Sequence, residues 1–164
     1  MERFEILTSC QEFFKDRVES ASRRVGVLLS VSLQFYLVNL LTSLTTKELP
    51  NFHEPVFNAF QSAVEALPGQ KIKYYKDMGD SSLLISGVFP QVASRRNVSI
   101  DYYVDMGQMG YYGAKEVSEK VYRDYNFGEL YGELGGRFKE LKTVLRHLDF
   151  EGRESNVYLL LRPS

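Results

Sequence analysis

The sequence predicts a mainly α-helical protein, a single-domain bundle of five or six helices around a buried central helix. Three observations predict it. From Val25 to Thr46 there are 22 residues without a charge, bounded by Arg24 and Lys47. Within that stretch Leu33, Tyr36, Leu37, Leu40, Leu41 and Leu44 recur at intervals of three and four, one face of a helix. Further on, Phe127, Tyr131, Leu134, Phe138, Leu141, Leu145 and Leu148 alternate spacings of 4 and 3, a coiled-coil-like seam. Such a core needs no disulfide or metal, since a chain of 164 residues can bury roughly 70% of its unfolded surface.

The uncharged stretch must be covered by protein or by lipid. Its length suits a membrane span, but its composition argues for a protein core. Gly26, Ser30, Ser32, Gln34, Asn39, Thr42, Ser43, Thr45 and Thr46 interrupt it, and Gln34 and Asn39 would each need a partner in hydrocarbon. Ser30 or Ser32 offers a helix N-cap, which breaks the run. Phe35 and Val38 add a second apolar face, so this helix is expected to be buried on more than one side.

Taken in order, a first helix is expected from Ser9, where Ser9-x-x-Glu12 has the capping-box pattern. Cys10, Phe14, Val18, Ala21 and Val25 share its buried face, and Gly26 ends it. The central helix runs from about Ser32 to Thr46. Asn51 caps a third helix, with Pro55 in its first turn and Val56, Phe57, Phe60, Ala63, Val64 and Leu67 as its stripe. Pro68-Gly69 ends that helix. Gln70–Pro90 is open between two readings. As a helix, Ile72, Tyr75, Gly79, Ser82 and Leu83 share a face. As an α+β alternative, Lys71–Tyr75 and Leu83–Val88 join Val157–Leu161 in a small sheet. A loop follows over Gln91–Asn97. Ser99 caps the next helix, in which Tyr103, Gly107, Gly110 and Ala114 form a small-residue stripe that admits another backbone. The last helix carries the seam, with Gly128, Gly132 and Gly136 every four residues along its first half. Each Gly costs about 0.8–1 kcal/mol of helix propensity, so close helix–helix contact is the expected return. After a polar turn, residues 151–164 form an apolar tail through Val157-Tyr158-Leu159-Leu160-Leu161.

Twenty Lys and Arg stand against 21 Asp and Glu, which disfavours nucleic acid as the main partner. The one local basic excess includes Lys71, Lys73, Lys76, Arg95 and Arg96. One cysteine, Cys10, excludes an internal disulfide and fits a reducing cytoplasm. The N-terminus, Met1-Glu2-Arg3-Phe4-Glu5, lacks the long apolar run of a signal peptide.

No motif for chemistry is present. His53 and His147 are far apart, no Cys cluster exists, and no metal or cofactor is expected. His147 suits a helix C-terminus. There is no phosphate loop, nucleophile elbow or dinucleotide fingerprint, and no catalytic residue is assigned. One echo stands out: Tyr74-Tyr75-Lys76-Asp77-Met78-Gly79 and Tyr102-Tyr103-Val104-Asp105-Met106-Gly107 match at five of six positions, 28 apart. Read functionally, it pairs Asp77 with Asp105; read structurally, it is a packing device. Nine of the 11 Tyr lie between Tyr74 and Tyr131, suited to lining a pocket or an interface.

Tyr36-Leu37-Val38-Asn39-Leu40-Leu41, Gly79-Asp80, Gly87-Val88-Phe89-Pro90, and Tyr102-Tyr103-x-x-Met106-Gly107 with Tyr111 follow one another in an order that resembles an uncharacterised family of bacterial, mainly proteobacterial, helical proteins. The resemblance spans about Ser32 to Leu148. It implies a bacterial cytoplasmic protein and helices over Gly79–Phe89 and Tyr102–Tyr122. That family has no established activity, so it implies no catalytic residues.

Three functions follow as expectations. The first is a non-enzymatic interaction or regulatory protein, homodimeric through Gly128, Gly132, Gly136 and Tyr158. The second is a small-ligand sensor with a pocket formed by Asp77, Tyr102, Tyr103, Asp105 and Tyr111. The third is a weak RNA or DNA binder, with Arg95 and Arg96 as its anion clamp beside Lys71 and Lys73.

Overall fold

The computed structural model describes residues 2–45 and 56–149, with side chains from Ser9 onward. Among these residues there are eight α-helices and no strand: α1 (Glu2–Val25), α2 (Val31–Ser43), α3 (Val56–Glu65), α4 (Pro68–Gly87), α5 (Pro90–Arg95), α6 (Ile100–Lys120), α7 (Tyr125–Gly136) and α8 (Phe138–Arg146). They group into two compact units, 1–49 with 143–164 and 50–142.

In the first unit α1 packs on α2. Cys10, Phe14, Val18 and Ala21 are buried on α1, as their spacing predicts, with Phe13 beside them, while Val25 at the end of that face is only partly buried. The helix starts at Glu2, so Ser9 and Glu12 lie inside it and the expected capping box is not a cap. A capping pattern marks a terminus only where the preceding backbone leaves the helix, and here it does not. Gly26 ends α1 with φ +71°, a left-handed conformation open to glycine, while Val27 N donates to Ser22 O at 3.0 Å. Ser30 Oγ then accepts from Leu33 N at 3.2 Å and starts α2. The 22 uncharged residues are thus cut by a turn, and α2 has only 13 residues. Among the described residues no helix is long and apolar enough to cross a membrane. Leu33, Leu37, Val38, Leu40 and Leu41 are buried, and Gln34 donates to Glu19 at 2.8 Å.

The second unit is organised around α4. Pro68 opens this helix at its first turn instead of closing α3. Lys71–Tyr75 and most of Leu83–Val88 lie inside it, with Val88 as its C-cap, so neither segment is a strand. The third segment of the α+β alternative, Val157–Leu161, lies outside the described residues, as do Asn51, Pro55 and His53. Met78 through Gly87 are all buried, ten residues in succession. A helix enclosed on every side carries no apolar periodicity, which is why this one reads ambiguously. Pro90–Arg95 is the short helix α5, not a loop; Pro90 again supplies the first turn.

Ser99 caps α6 as expected, accepting from Tyr102 N at 3.2 Å. The small-residue stripe of α6 is where α4 crosses. A Cβ on Gly110 would sit 2.7 Å from both Gly79 N and Tyr75 O. To either side the helices exchange rings: Tyr75 lies on Gly113, and Tyr111 lies on Gly79. Gly107 faces Ser82 and the Phe138 ring. Residue numbers rise on one helix as they fall on the other, so α4 and α6 are antiparallel. Helix α7 rides back along α6, with Gly128 on Glu119, Gly132 on Lys115 and Gly135 on Tyr112. The seam expected as one helix from Phe127 to Leu148 is two, α7 and α8, broken at Arg137 behind Gly135-Gly136. Two adjacent glycines favour the break, while Tyr131, Leu134, Phe138, Leu141 and Leu145 stay buried across it.

Candidate functional site

The echoed Tyr-Tyr-x-Asp-Met-Gly segments lie on the two antiparallel helices. Both Met-Gly pairs, Met78-Gly79 and Met106-Gly107, are buried at contacts. The carboxylates separate. Asp77 is half-buried on α4 and Asp105 is exposed on α6. Gly107 faces Ser82, so Asp105 lies more than a helical turn from Asp77 along the pair. Tyr103 and Tyr111 are enclosed, and Tyr102 is half-buried, edge-on to Tyr103 at 5.5 Å between centroids. Burial, then the neighbouring Tyr103, raises the Tyr102 phenol above its ordinary value. Asp77, Tyr102, Tyr103, Asp105 and Tyr111 therefore do not converge on one cavity.

What the crossing does enclose is Asp80, 2% exposed, which the sequence marked only as part of Gly79-Asp80 and not as a site residue. Its Oδ1 accepts from Tyr111 Oη and its Oδ2 from Lys76 Nζ, both at 2.7 Å. A buried carboxylate is tolerated when donors answer it. Lys76 lies four residues before Asp80 on the same helix face, while Tyr111 is 31 residues away and is delivered by α6. Burial pulls the Lys76 ammonium pKa down, but the charge and hydrogen bond of Asp80 outweigh it, and the net direction is up.

From this buried pair the chain opens outward into a groove of about 610 Å³ between α4, the end of α6 and the start of α7. Ile72, Tyr122, Phe127 and Tyr131 give it apolar walls; Lys73, Lys76, Asp77 and Asp124 give it charge. Phe127 and Tyr131 stack at 6.3 Å with 27° between planes. Asp124 Oδ1 caps α7, accepting from Phe127 N at 3.1 Å. The link between α6 and α7 turns through Arg123 at φ 52°, a left-handed position for a residue with a side chain. Val121, Tyr122, Tyr125 and Phe127 around this turn are all at least half exposed. Such a concentration of open aromatic surface marks a contact site more often than a bare face.

The charged lining is two cations, Lys73 and Lys76, and two carboxylates, Asp77 and Asp124, and Lys76 is engaged by the enclosed Asp80 behind it. Burial, then the Asp80 charge, raises the Asp77 pKa above the ordinary carboxylate value, against the pull of Lys76 and Lys73. Burial also raises the Tyr131 phenol, which stays a neutral donor.

The remaining expected sites are dispersed. Gly128 and Gly132 make their close approach within the chain, over the Lys115–Glu119 ion pair of 2.6 Å, and Gly136 is near the Tyr112 hydroxyl. Tyr158 lies outside the described residues. Arg95 and Arg96 sit beyond the C-terminal end of α4 and Lys71 near its start, separated by about 24 Å of helix rise. Arg96 Nη1 is buried without a hydrogen-bond partner among the described residues. No group of three His, Cys, Asp or Glu among the described residues is arranged to hold a metal ion. No family model, curated protein or solved structure matches this chain.

Proposed function

We propose that this chain is a non-enzymatic, small-molecule-binding protein of regulatory type, and that the α4–α6–α7 groove takes a monovalent organic cation with an apolar body. The observation that carries this reading is the composition of the groove: Asp77 and Asp124 stand against Lys73, with Lys76 engaged by the buried Asp80, beside three aromatic rings. An ammonium entering it meets Asp77 and Asp124, and its apolar body replaces water on Tyr122, Phe127 and Tyr131. The resemblance to bacterial helical proteins supports a setting in a bacterial cytoplasm.

The test uses the full chain and three probes of one shape: benzylammonium, benzyl alcohol and benzoate. Calorimetric titration is expected to show benzylammonium binding more tightly than the neutral alcohol, with benzoate weakest. Asp77→Asn should weaken the ammonium by roughly tenfold, since hydrogen bonds to charged groups contribute about 1.5–3 kcal/mol. Equal affinity for benzoate, or no ammonium binding at millimolar concentration, would contradict the reading.

A further inference from the structure

A second groove lies in the first unit, separate from the one above. It has a volume of about 570 Å³ and is lined by Gln11, Glu12, Lys15 and Glu19 of α1 with Val31, Gln34, Phe35, Val38 and Asn39 of α2. Val31 is 87% exposed and Phe35 66%. They stand four apart on α2 and form an exposed apolar strip, with the buried Val38 also in the lining of the groove. We propose that the occupant is the chain's own segment Val157–Leu161, laid extended along this strip.

The tether places it there. Arg24, in the last turn of α1, donates from Nη2 to the carbonyl oxygen of His147, so the chain passes the turn end of the α1–α2 pair at residue 147. From that level the groove begins at Glu19, about 8 Å along α1, and ends at Gln11, about 20 Å along. The nine residues from Leu148 to Asn156 reach up to about 30 Å. Five extended residues then cover about 16 Å, against about 12 Å of groove between Glu19 and Gln11.

The chemistry agrees with the reach. Val157, Leu159 and Leu161 fall on one face of an extended segment, an apolar face to cover the exposed Val31 and Phe35 of α2. The segment carries no charge itself, and Arg162 follows it at the level where the groove ends in Glu12.

The sequence has no Trp, so Phe35→Trp in the full chain is a single reporter of this strip. The expected emission is blue-shifted and independent of protein concentration. It should move to the red when Leu159→Asp and Leu161→Asp are added, with the helical circular dichroism unchanged. Leu159→Ala should give a smaller red shift, which guards against a general effect of the acidic substitutions. Red emission in the full chain overturns the proposal. So does a blue emission indifferent to the Leu159 and Leu161 substitutions, which would mean another occupant. Blue emission that depends on the segment but is lost on dilution would assign the segment to a second copy, and would equally overturn docking within one chain.

Discussion

Replacing Gly110 with Ala probes the contact on which the second unit is built. The new Cβ would lie 2.7 Å from Gly79 N and Tyr75 O and 3.2 Å from Gly79 Cα. All three are backbone atoms of α4, so no side chain can swing away. Ordinary contact between such atoms needs about 3.5 Å or more, and the helices must part by nearly 1 Å along this line. A radial gap of that size forfeits a quarter to a half of each dispersion contact nearby, and overpacking of this kind costs about 1–3 kcal/mol, sometimes more. Ala returns about 1 kcal/mol of helix propensity. A backbone clash belongs at the upper end of the range, so the net loss is about 2 kcal/mol, or a Tm lower by roughly 4–8 °C in a chain of this size. Gly132→Ala is the matched control. Its Cβ meets the flexible Lys115 side chain, with Cδ at 3.1 Å, so the propensity gain of up to about 1 kcal/mol should survive. Urea and thermal unfolding of both variants should therefore move in opposite directions, about 3 kcal/mol apart. Equal effects of the two alanines would refute the close crossing of α4 and α6.

The buried pair and the groove give further expectations. Tyr111→Phe removes the neutral hydroxyl that donates to Asp80 at 2.7 Å and should cost about 1.5–3 kcal/mol in urea unfolding, since the carboxylate stays enclosed. Asp77→Asn should stabilise the protein at neutral pH. A folded pKa above the ordinary 3.8 contributes stability that is complete below that value and lost as pH rises through the folded pKa. The advantage of Asp77→Asn over the parent should accordingly vanish in acid below about 3.8; an advantage constant with pH would assign it to some other cause. Asp124→Ala should cost about 1 kcal/mol by uncapping α7. Arg123→Gly, at φ 52°, should stabilise by up to about 1 kcal/mol, and a loss of stability on unfolding would show that the Arg123 side chain holds the turn.

What the amino-acid sequence displayed was local backbone chemistry. Ser30, Ser99 and Gly26 cap or end helices through groups within three to five residues, and each is where its residue type requires. The Gly107, Gly110 and Ala114 stripe displayed a close approach, but not the helix that makes it. The α4 helix was hidden because burial on all sides erases the pattern that exposes a helix, and because Asp80, Ser81, Ser82 and Ser86 look like surface residues. The division of α7 from α8 was hidden because the 4-and-3 spacing runs on unchanged through Arg137. Asp80 and Tyr111 both stood among the motifs of the resemblance, but their pairing was hidden because they are 31 residues apart. The groove gathers residues from Gly69 to Tyr131, and its visible traces were the candidate Asp77 and the density of Tyr from Tyr74 to Tyr131.

A titration of the isotope-labelled full chain with benzylammonium, followed by amide chemical shifts, addresses the functional reading most directly. Saturable shifts should gather at Lys73, Asp77, Ser118, Asp124 and Phe127 and be absent with benzoate. Shifts spread over the surface without saturation, or gathered away from these residues, would contradict it.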